Sequence, residues 1–292
     1  MKDDQVLHRL GMRTALLTLI AMLAFAANSV LCRLALAEGA IDPASFTFVR
    51  IASGALTLWL ILLFSGRATL SHGSWLGATA LFVYAAAFSF GYISLPAGTG
   101  AFLLFGAVQV TMVLIGIICG ERLTALQCLG FILAIAGLAV LVAPGSFAPS
   151  LVGAGLMILA GMAWGAYSLL GRGSKSPVLS TAGNFVRALP MVGVLMVLSF
   201  IEMDVVMTSS GVIFAILSGA VASGLGYTIW YAALPGLTPA QGASVQLSVP
   251  VITAVAGTIV LNEQIDLRLL ISSVAILGGI GLIIAAKNRQ KM

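Results

Sequence analysis

The chain has 292 residues, of which 60% are hydrophobic and 8% charged, with a formal net charge of +5. Apolar runs recur from end to end, which leaves no stretch for a water-soluble domain. Cys32, Cys119 and Cys128 lie in or beside those runs without a CxxC pairing, so neither a disulfide framework nor a metal site is expected.

Ten apolar runs follow in chain order, each close to the ~20 residues that cross a bilayer as a helix. The first five are expected near Thr14 to Leu36, Ala44 to Phe64, Trp75 to Ser94, Ala97 to Cys119 and Thr124 to Ala143. The second five are expected near Leu151 to Gly171, Leu179 to Ile201, Gly211 to Ala232, Thr238 to Leu261 and Leu267 to Ala286. Helix is assigned because exposed backbone is not tolerated in lipid, and the runs lack the polar and apolar alternation of a membrane barrel. The first run exceeds a signal-peptide core, lacks a convincing small-residue cleavage site and precedes nine more, so it reads as a permanent span. The fold expected is all-α, a polytopic protein embedded in a lipid bilayer.

Lys and Arg orient the spans. With the N-terminus inside, the cytoplasmic segments hold Lys2, Arg9, Arg13, Arg67, Arg122, Arg172, Lys175, Lys287, Arg289 and Lys291, and the outer loops keep Arg33 and Arg268. Both termini are therefore expected in the cytoplasm of a bacterial inner membrane. The positive charge reflects topology and not nucleic-acid binding.

The chain reads as duplicated. Ala24-Phe25-Ala26-Ala27-Asn28-Ser29-Val30-Leu31-Cys32-Arg33 in the first span answers Ala163-Trp164-Gly165-Ala166-Tyr167-Ser168-Leu169-Leu170-Gly171-Arg172 in the sixth. Phe48-Val49-Arg50 answers Phe185-Val186-Arg187, and Gly120-Glu121-Arg122-Leu123 answers Asn262-Glu263-Gln264-Ile265. Residues 1–143 and 151–286 thus form two five-span repeats, followed by a basic tail at 287–292. An odd number of spans inserts the second repeat upside down, with the substrate site expected between the copies near mid-membrane. Span three fits span eight poorly, because Gly91-Tyr92 and Gly226-Tyr227 match only out of register with the spans that follow.

These residues resemble the drug/metabolite transporter superfamily in its ten-helix, two-repeat EamA-type branch. The resemblance rests on the small-aromatic-small stretch opening each repeat, the Phe-Val-Arg of each second span, and the acidic ends at Glu121 and Glu263. Within that branch the chain is most similar to bacterial aromatic amino-acid exporters, which implies efflux of amino acids. It departs from the family pattern at Val108, which stands where Pro250 stands in the other repeat.

No carboxylate is expected at mid-membrane. Asp3, Asp4, Glu38, Asp42, Glu121, Glu202, Asp204, Glu263 and Asp266 fall at termini, loops or span ends, and His8 and His72 lie outside the spans. Proton-driven carriers hold a titrating group inside the membrane, so facilitated movement is expected, with sodium binding through neutral oxygens left open. Glu121 and Glu263 read as caps on the helices that follow them, favoured by the helix dipole. Arg50 and Arg187 read as snorkelling to the headgroups or paired with carbonyls at a helix end; the alternative is an electrostatic partner for a substrate carboxylate or a gate.

Substrate contacts are expected from aromatic and neutral polar residues on inward faces. Span six aligns Gly161, Trp164, Gly165 and Ser168 with Tyr167 beside them; span nine aligns Gly242, Gln246, Pro250 and Thr253; span four aligns Thr99, Phe102, Gly106 and Gln109. Spans three and eight add Tyr84, Phe88, Tyr92, Tyr227 and Trp230, while Asn28, Gln109 and Gln246 suit the polar groups of an amino-acid zwitterion. Interfacial belts are the competing reading for Tyr92, Trp230 and Tyr231. The glycine pairs Gly116 with Gly120 and Gly161 with Gly165 read as helix-packing motifs. No HExxH, GxSxG or Walker A sequence occurs, so an enzyme is disfavoured and no cofactor is expected. Export of drugs, nucleotide-type metabolites or lipid-like substrates fits the same repeat.

Overall fold

A computed structural model describes residues 2–66, 72–120, 122–144, 148–171, 174–202, 205–237 and 239–289. The first seven spans are carried by α1 (Lys2–Leu36), α2 (Pro43–Phe64), α3 (Trp75–Gly91), α4 (Ala97–Ile118), α5 (Ala125–Val142), α6 (Leu151–Leu170) and α7 (Pro177–Glu202). The eighth span is composite: α8 (Ser209–Ile216), a π-helical stretch (Leu217–Leu225), α9 (Gly226–Ala233) and a 3-10 turn (Leu234–Gly236). The ninth is α10 (Pro239–Gln246) and α11 (Ser248–Leu261), and the tenth is α12 (Leu267–Arg289). Among the described residues nine helical spans are long and apolar enough to cross a bilayer, and Trp75–Gly91 is a shorter apolar helix, so the protein is a multi-pass, ten-helix membrane protein.

Local chemistry sets the helix starts. Asp42, Ser74, Ser150 and Thr208 each accept the backbone N–H three residues on, and Thr124 with Gln127 forms a capping box before α5. α4 begins after Pro96 and has no such side chain of its own. Large apolar side chains such as Leu129, Ile132, Val194, Val197, Leu270 and Val274 point outward, as a lipid solvent demands.

The helices pair in a pattern that survives exchange of the first five spans for the last five. Span one packs on spans eight and nine, and span six packs correspondingly on spans three and four. Span two packs on spans seven and eight, and span seven on spans two and three. Spans four and nine, and spans five and ten, pair with each other. Core contacts therefore run mainly between the halves.

Glycines permit several of these approaches. A Cβ on Gly219 would collide with the Arg50 carbonyl and the Ser53 hydroxyl, and one on Gly161 would meet the Ala107 Cβ at 2.6 Å. Gly130 and Gly279 face each other's carbonyls where α5 crosses α12. Gly279→Val should therefore push α12 off α5 and destabilise the protein by about 1–3 kcal/mol, read by detergent-denaturant unfolding. Unfolding unchanged from that of the parent chain would show that this crossing does not hold the tenth span.

The poor register between spans three and eight has a physical origin. Tyr92 lies one residue beyond α3, whereas Tyr227 sits inside a 28-residue composite span. A π-helical stretch takes more residues per turn than an α-helix. No uniform offset can align the two.

The loops on the face away from the N-terminus are tied together. Ile41 and Met207 form an isolated antiparallel bridge, Asp42 donates to the Val206 carbonyl, and Arg268 donates to the carbonyls of Ala143 and Pro144.

Candidate substrate-binding cavity

Spans one, three, four, six, eight and nine enclose a narrow, partly open cavity of about 30 Å3, room for no more than a water or two as it stands. Asn28, Tyr84, Phe88, Trp164, Tyr227 and Gln246, all expected from the sequence, line it. So do Phe25, Ser29, Leu104, Phe105 and Ala222, which the sequence reading did not single out. Phe25 and Ser29 stand at helical spacing beside Asn28, so the signal for them was present in the first span.

Trp164 is the hub of the aromatic wall. Its ring centroid lies 4.8 Å from Tyr84, 5.4 Å from Tyr227 and 5.4 Å from Tyr167, the last nearly stacked. Phe25 meets Tyr227 edge-on at 5.7 Å and Trp230 at 6.1 Å. These separations fall in the range where aromatic pairs attract beyond simple area burial. Gln246 folds back on its own helix, donating to the Gly242 carbonyl at 3.2 Å.

Five expected residues stand outside the lining. Tyr92 is fully buried at the end of α3, where its hydroxyl donates to the Ala97 carbonyl at 3.1 Å and its ring meets Phe88 at 4.7 Å. The headgroup belt weighed for it is therefore replaced by a sealed structural position. Tyr167 supports Trp164 from behind, and its hydroxyl is held by Thr181 and Asn184. Trp230 packs in a separate cluster with Ala21, Met22, Ala26 and Val249. In span four the face toward the cavity carries Leu104 and Phe105, not Phe102 and Gln109. Gly106, on the expected stripe, packs against Leu138 of α5.

The two repeat-related arginines occupy different surroundings. Arg187 donates to the carbonyls of His72, in the loop before α3, at 2.7 Å and of Gly183, one turn back in α7, at 3.0 Å. Arg50 does not snorkel: it is 1% exposed, and its guanidinium lies 5.2 Å from the Tyr84 ring centroid and 4.8 Å from that of Phe88. Arg50 lies on the face of α2 that packs against spans seven and eight, while Leu56, Leu60 and Leu63 of the same helix are exposed. Nη2 donates to the Tyr84 hydroxyl at 3.0 Å, which completes a buried chain through Asn28 to Ser218. Nε and Nη1 have no hydrogen-bond partner.

Glu263 also corrects an expectation. It does not cap the helix that follows it; Asp266 does that, accepting the Leu269 N–H. Asn262 ends α11 in the left-handed conformation at φ 54°, which turns Glu263 back toward α4. One carboxylate oxygen accepts the Ala97 N–H at 2.7 Å, and the other pairs with Arg33 Nε at 3.1 Å. Arg33 Nη1 donates to the carbonyls of Tyr92 and Ile93. Gly257 leaves room for the carboxylate, since a Cβ there would stand 2.8 Å from it. Glu121, the counterpart in the first repeat, lies outside the described residues, as do Arg67 and Arg172.

A second hollow, wide and open to the side, is lined by apolar residues including Leu76, Val83, Ile115, Leu159, Met162 and Leu170. It shares no lining residue with the aromatic cavity and lies on the opposite side of the sixth span, where Ala163 faces one and Trp164 the other.

The EamA-like transporter family model matches residues 12–143 and again 151–285. An uncharacterized protein of Pseudomonas aeruginosa is 55% identical over 94% of this chain and 96% of its own length. An uncharacterized transporter of Archaeoglobus fulgidus is 26% identical over 95% of this chain and 99% of its own. A protein of Streptantibioticus cattleyicolor described as a probable terminal-alkyne amino-acid exporter is 29% identical over 64% of each. A protein crystal structure superposes with a TM-score of 0.68 at 17% identity, over 96% of this chain and 99% of that one, and shows the fold alone.

Proposed function

The chain belongs to the EamA-like transporter family, and we propose that it exports amino acids, the aromatic and other large neutral ones foremost, from the cytoplasm. The observation that carries this reading is the aromatic cavity between the halves, where Trp164, Tyr84 and Tyr227 supply apolar area and Asn28, Ser29 and Gln246 supply polar groups. The exporter description of the Streptantibioticus cattleyicolor protein supports the substrate class.

Transport proceeds by alternating access of two inverted repeats, residues 1–143 and 151–286, about the central cavity. The site is exposed to one face at a time. Both termini lie in the cytoplasm of a bacterial inner membrane, with Arg33 and Arg268 the basic residues on the far side. The protein performs no bond-making chemistry of its own.

Purified protein in liposomes, given a panel of labelled amino acids, tests this. Downhill flux of phenylalanine, tryptophan and leucine is expected, unchanged by an imposed proton gradient, because the carboxylates described, Asp42 and Glu263 among them, sit at span ends. Proton-driven accumulation would overturn the facilitative part, and silence across the panel from folded protein would overturn the substrate class.

The wide lateral hollow favours a second reading, movement of lipid-like substrates. Its separation from the aromatic cavity by the sixth span keeps that reading second. Flux of a labelled lipid with amino acids inert would reverse the order.

A further inference from the structure

We propose that Arg50 is the group that recognises a carboxylate on the substrate, so that the site selects molecules joining an anionic end to an apolar body. The inference rests on the cavity being the substrate site and names the chemistry it selects.

Three observations carry it. First, a guanidinium that cannot be neutralised is 1% exposed in the membrane interior, and the described residues offer it no carboxylate. One neutral hydroxyl and two ring faces compensate this buried cation in part but give it no counter-charge, which points to an anion that arrives from elsewhere. Second, Nε and Nη1 are buried with unused N–H groups. Arg187, at the same place in the other repeat, is met by two backbone carbonyls, whereas Arg50 meets none. Third, Arg50 is one layer from the cavity. Tyr84 and Phe88, whose rings it lies over, are cavity walls, and its Nη2 holds the Tyr84 hydroxyl.

The Tyr84 hydroxyl is the movable element. It bonds Arg50 at 3.0 Å and Asn28 at a looser 3.4 Å, so a side-chain rotation would release both donors toward the cavity. A carboxylate then replaces a neutral oxygen on the guanidinium, an exchange of a weak acceptor for a charged one. The ammonium end of a zwitterion meets the faces of Trp164 and Tyr227, which attract cations.

Binding separates this inference from the transport reading. Intrinsic tryptophan fluorescence of the purified protein would be titrated with phenylalanine, with phenylalaninamide, and with 3-phenylpropionate, which keeps the carboxylate and lacks the amine. The parent protein is expected to bind phenylalanine about tenfold to a hundredfold more tightly than the amide, the range for a hydrogen bond to a charged group. Arg50→Gln should erase that preference, and Arg50→Lys should keep part of it. Equal binding of acid and amide by the parent protein would overturn the inference even if Arg50→Gln does not fold. So would a parallel weakening of both in Arg50→Gln. Binding of 3-phenylpropionate alone would uphold Arg50 and sink the amino-acid reading; binding of none of the three overturns both.

Discussion

Trp164→Ala will lower amino-acid flux at least about tenfold while leaving the helical fold in place. The Trp164 ring meets Tyr84, Tyr167 and Tyr227 together, so its removal takes away the surface that an apolar substrate would lie against. Large aromatic side chains at the centre of binding sites commonly contribute about 2 kcal/mol or more, which is roughly thirtyfold. Stability falls less than for a sealed core tryptophan, because Trp164 is only partly buried and its removal takes less apolar area out of the core. Trp164→Phe keeps a ring and should retain most of the flux. The comparison is made by liposome flux at matched incorporation, with unfolding followed in parallel; flux unchanged in Trp164→Ala removes this residue from the site.

Glu263→Ala will destabilise the protein by about 2–3 kcal/mol, and the charge-swapped pair will not recover it. The carboxylate does two jobs at once, accepting the Ala97 N–H that Pro96 cannot cap and pairing with Arg33. Losing an N-cap typically costs about 1 kcal/mol, and breaking a half-buried pair leaves the arginine without its anion. Glu263→Gln keeps an oxygen for the amide and loses the charge, so it should fall between the parent chain and Glu263→Ala. In the swap Arg33→Glu with Glu263→Arg the ion pair can re-form. An arginine has no acceptor for the Ala97 N–H, however, and the start of α4 stays open. Reversible unfolding of the parent chain, both singles and the swap in mixed micelles gives the cycle directly. Complete recovery in the swap would show that the ion pair alone matters and the cap does not.

Much of this architecture could be read from composition. Every span fell where the apolar runs placed it, because lipid imposes one rule on length and backbone satisfaction that sequence reports faithfully. The cavity was half legible. Trp164, Tyr84 and Gln246 are large or polar where little else is, but in span four the small and polar stripe through Gly106 and Gln109 suggested an inner face, and Gly106 is spent on packing against Leu138. The two arginines show the limit most clearly: Phe-Val-Arg is identical in both repeats, and one copy meets carbonyls while the other meets aromatic rings. Likewise no local pattern announces that Glu263 serves a helix 166 residues away in sequence. Such contacts are set by tertiary neighbours.

The break at Leu247 has no counterpart in the first repeat. Span nine is divided just before Pro250, whereas α4 runs unbroken from Ala97 to Ile118 with Val108 at the matching place. Repeats that trade roles during a transport cycle would give identical kinetics from both sides only if they were equally stiff. Here one arm can flex at a joint and the other must move as a rod. A passive carrier built this way has different maximal rates and different half-saturating concentrations at its two faces, while the ratio of the two quantities stays equal, since no net flow is permitted between equal concentrations. Measured in both directions across right-side-out and inside-out vesicles, the protein should look fast and weak-binding from one side and slow and tight-binding from the other.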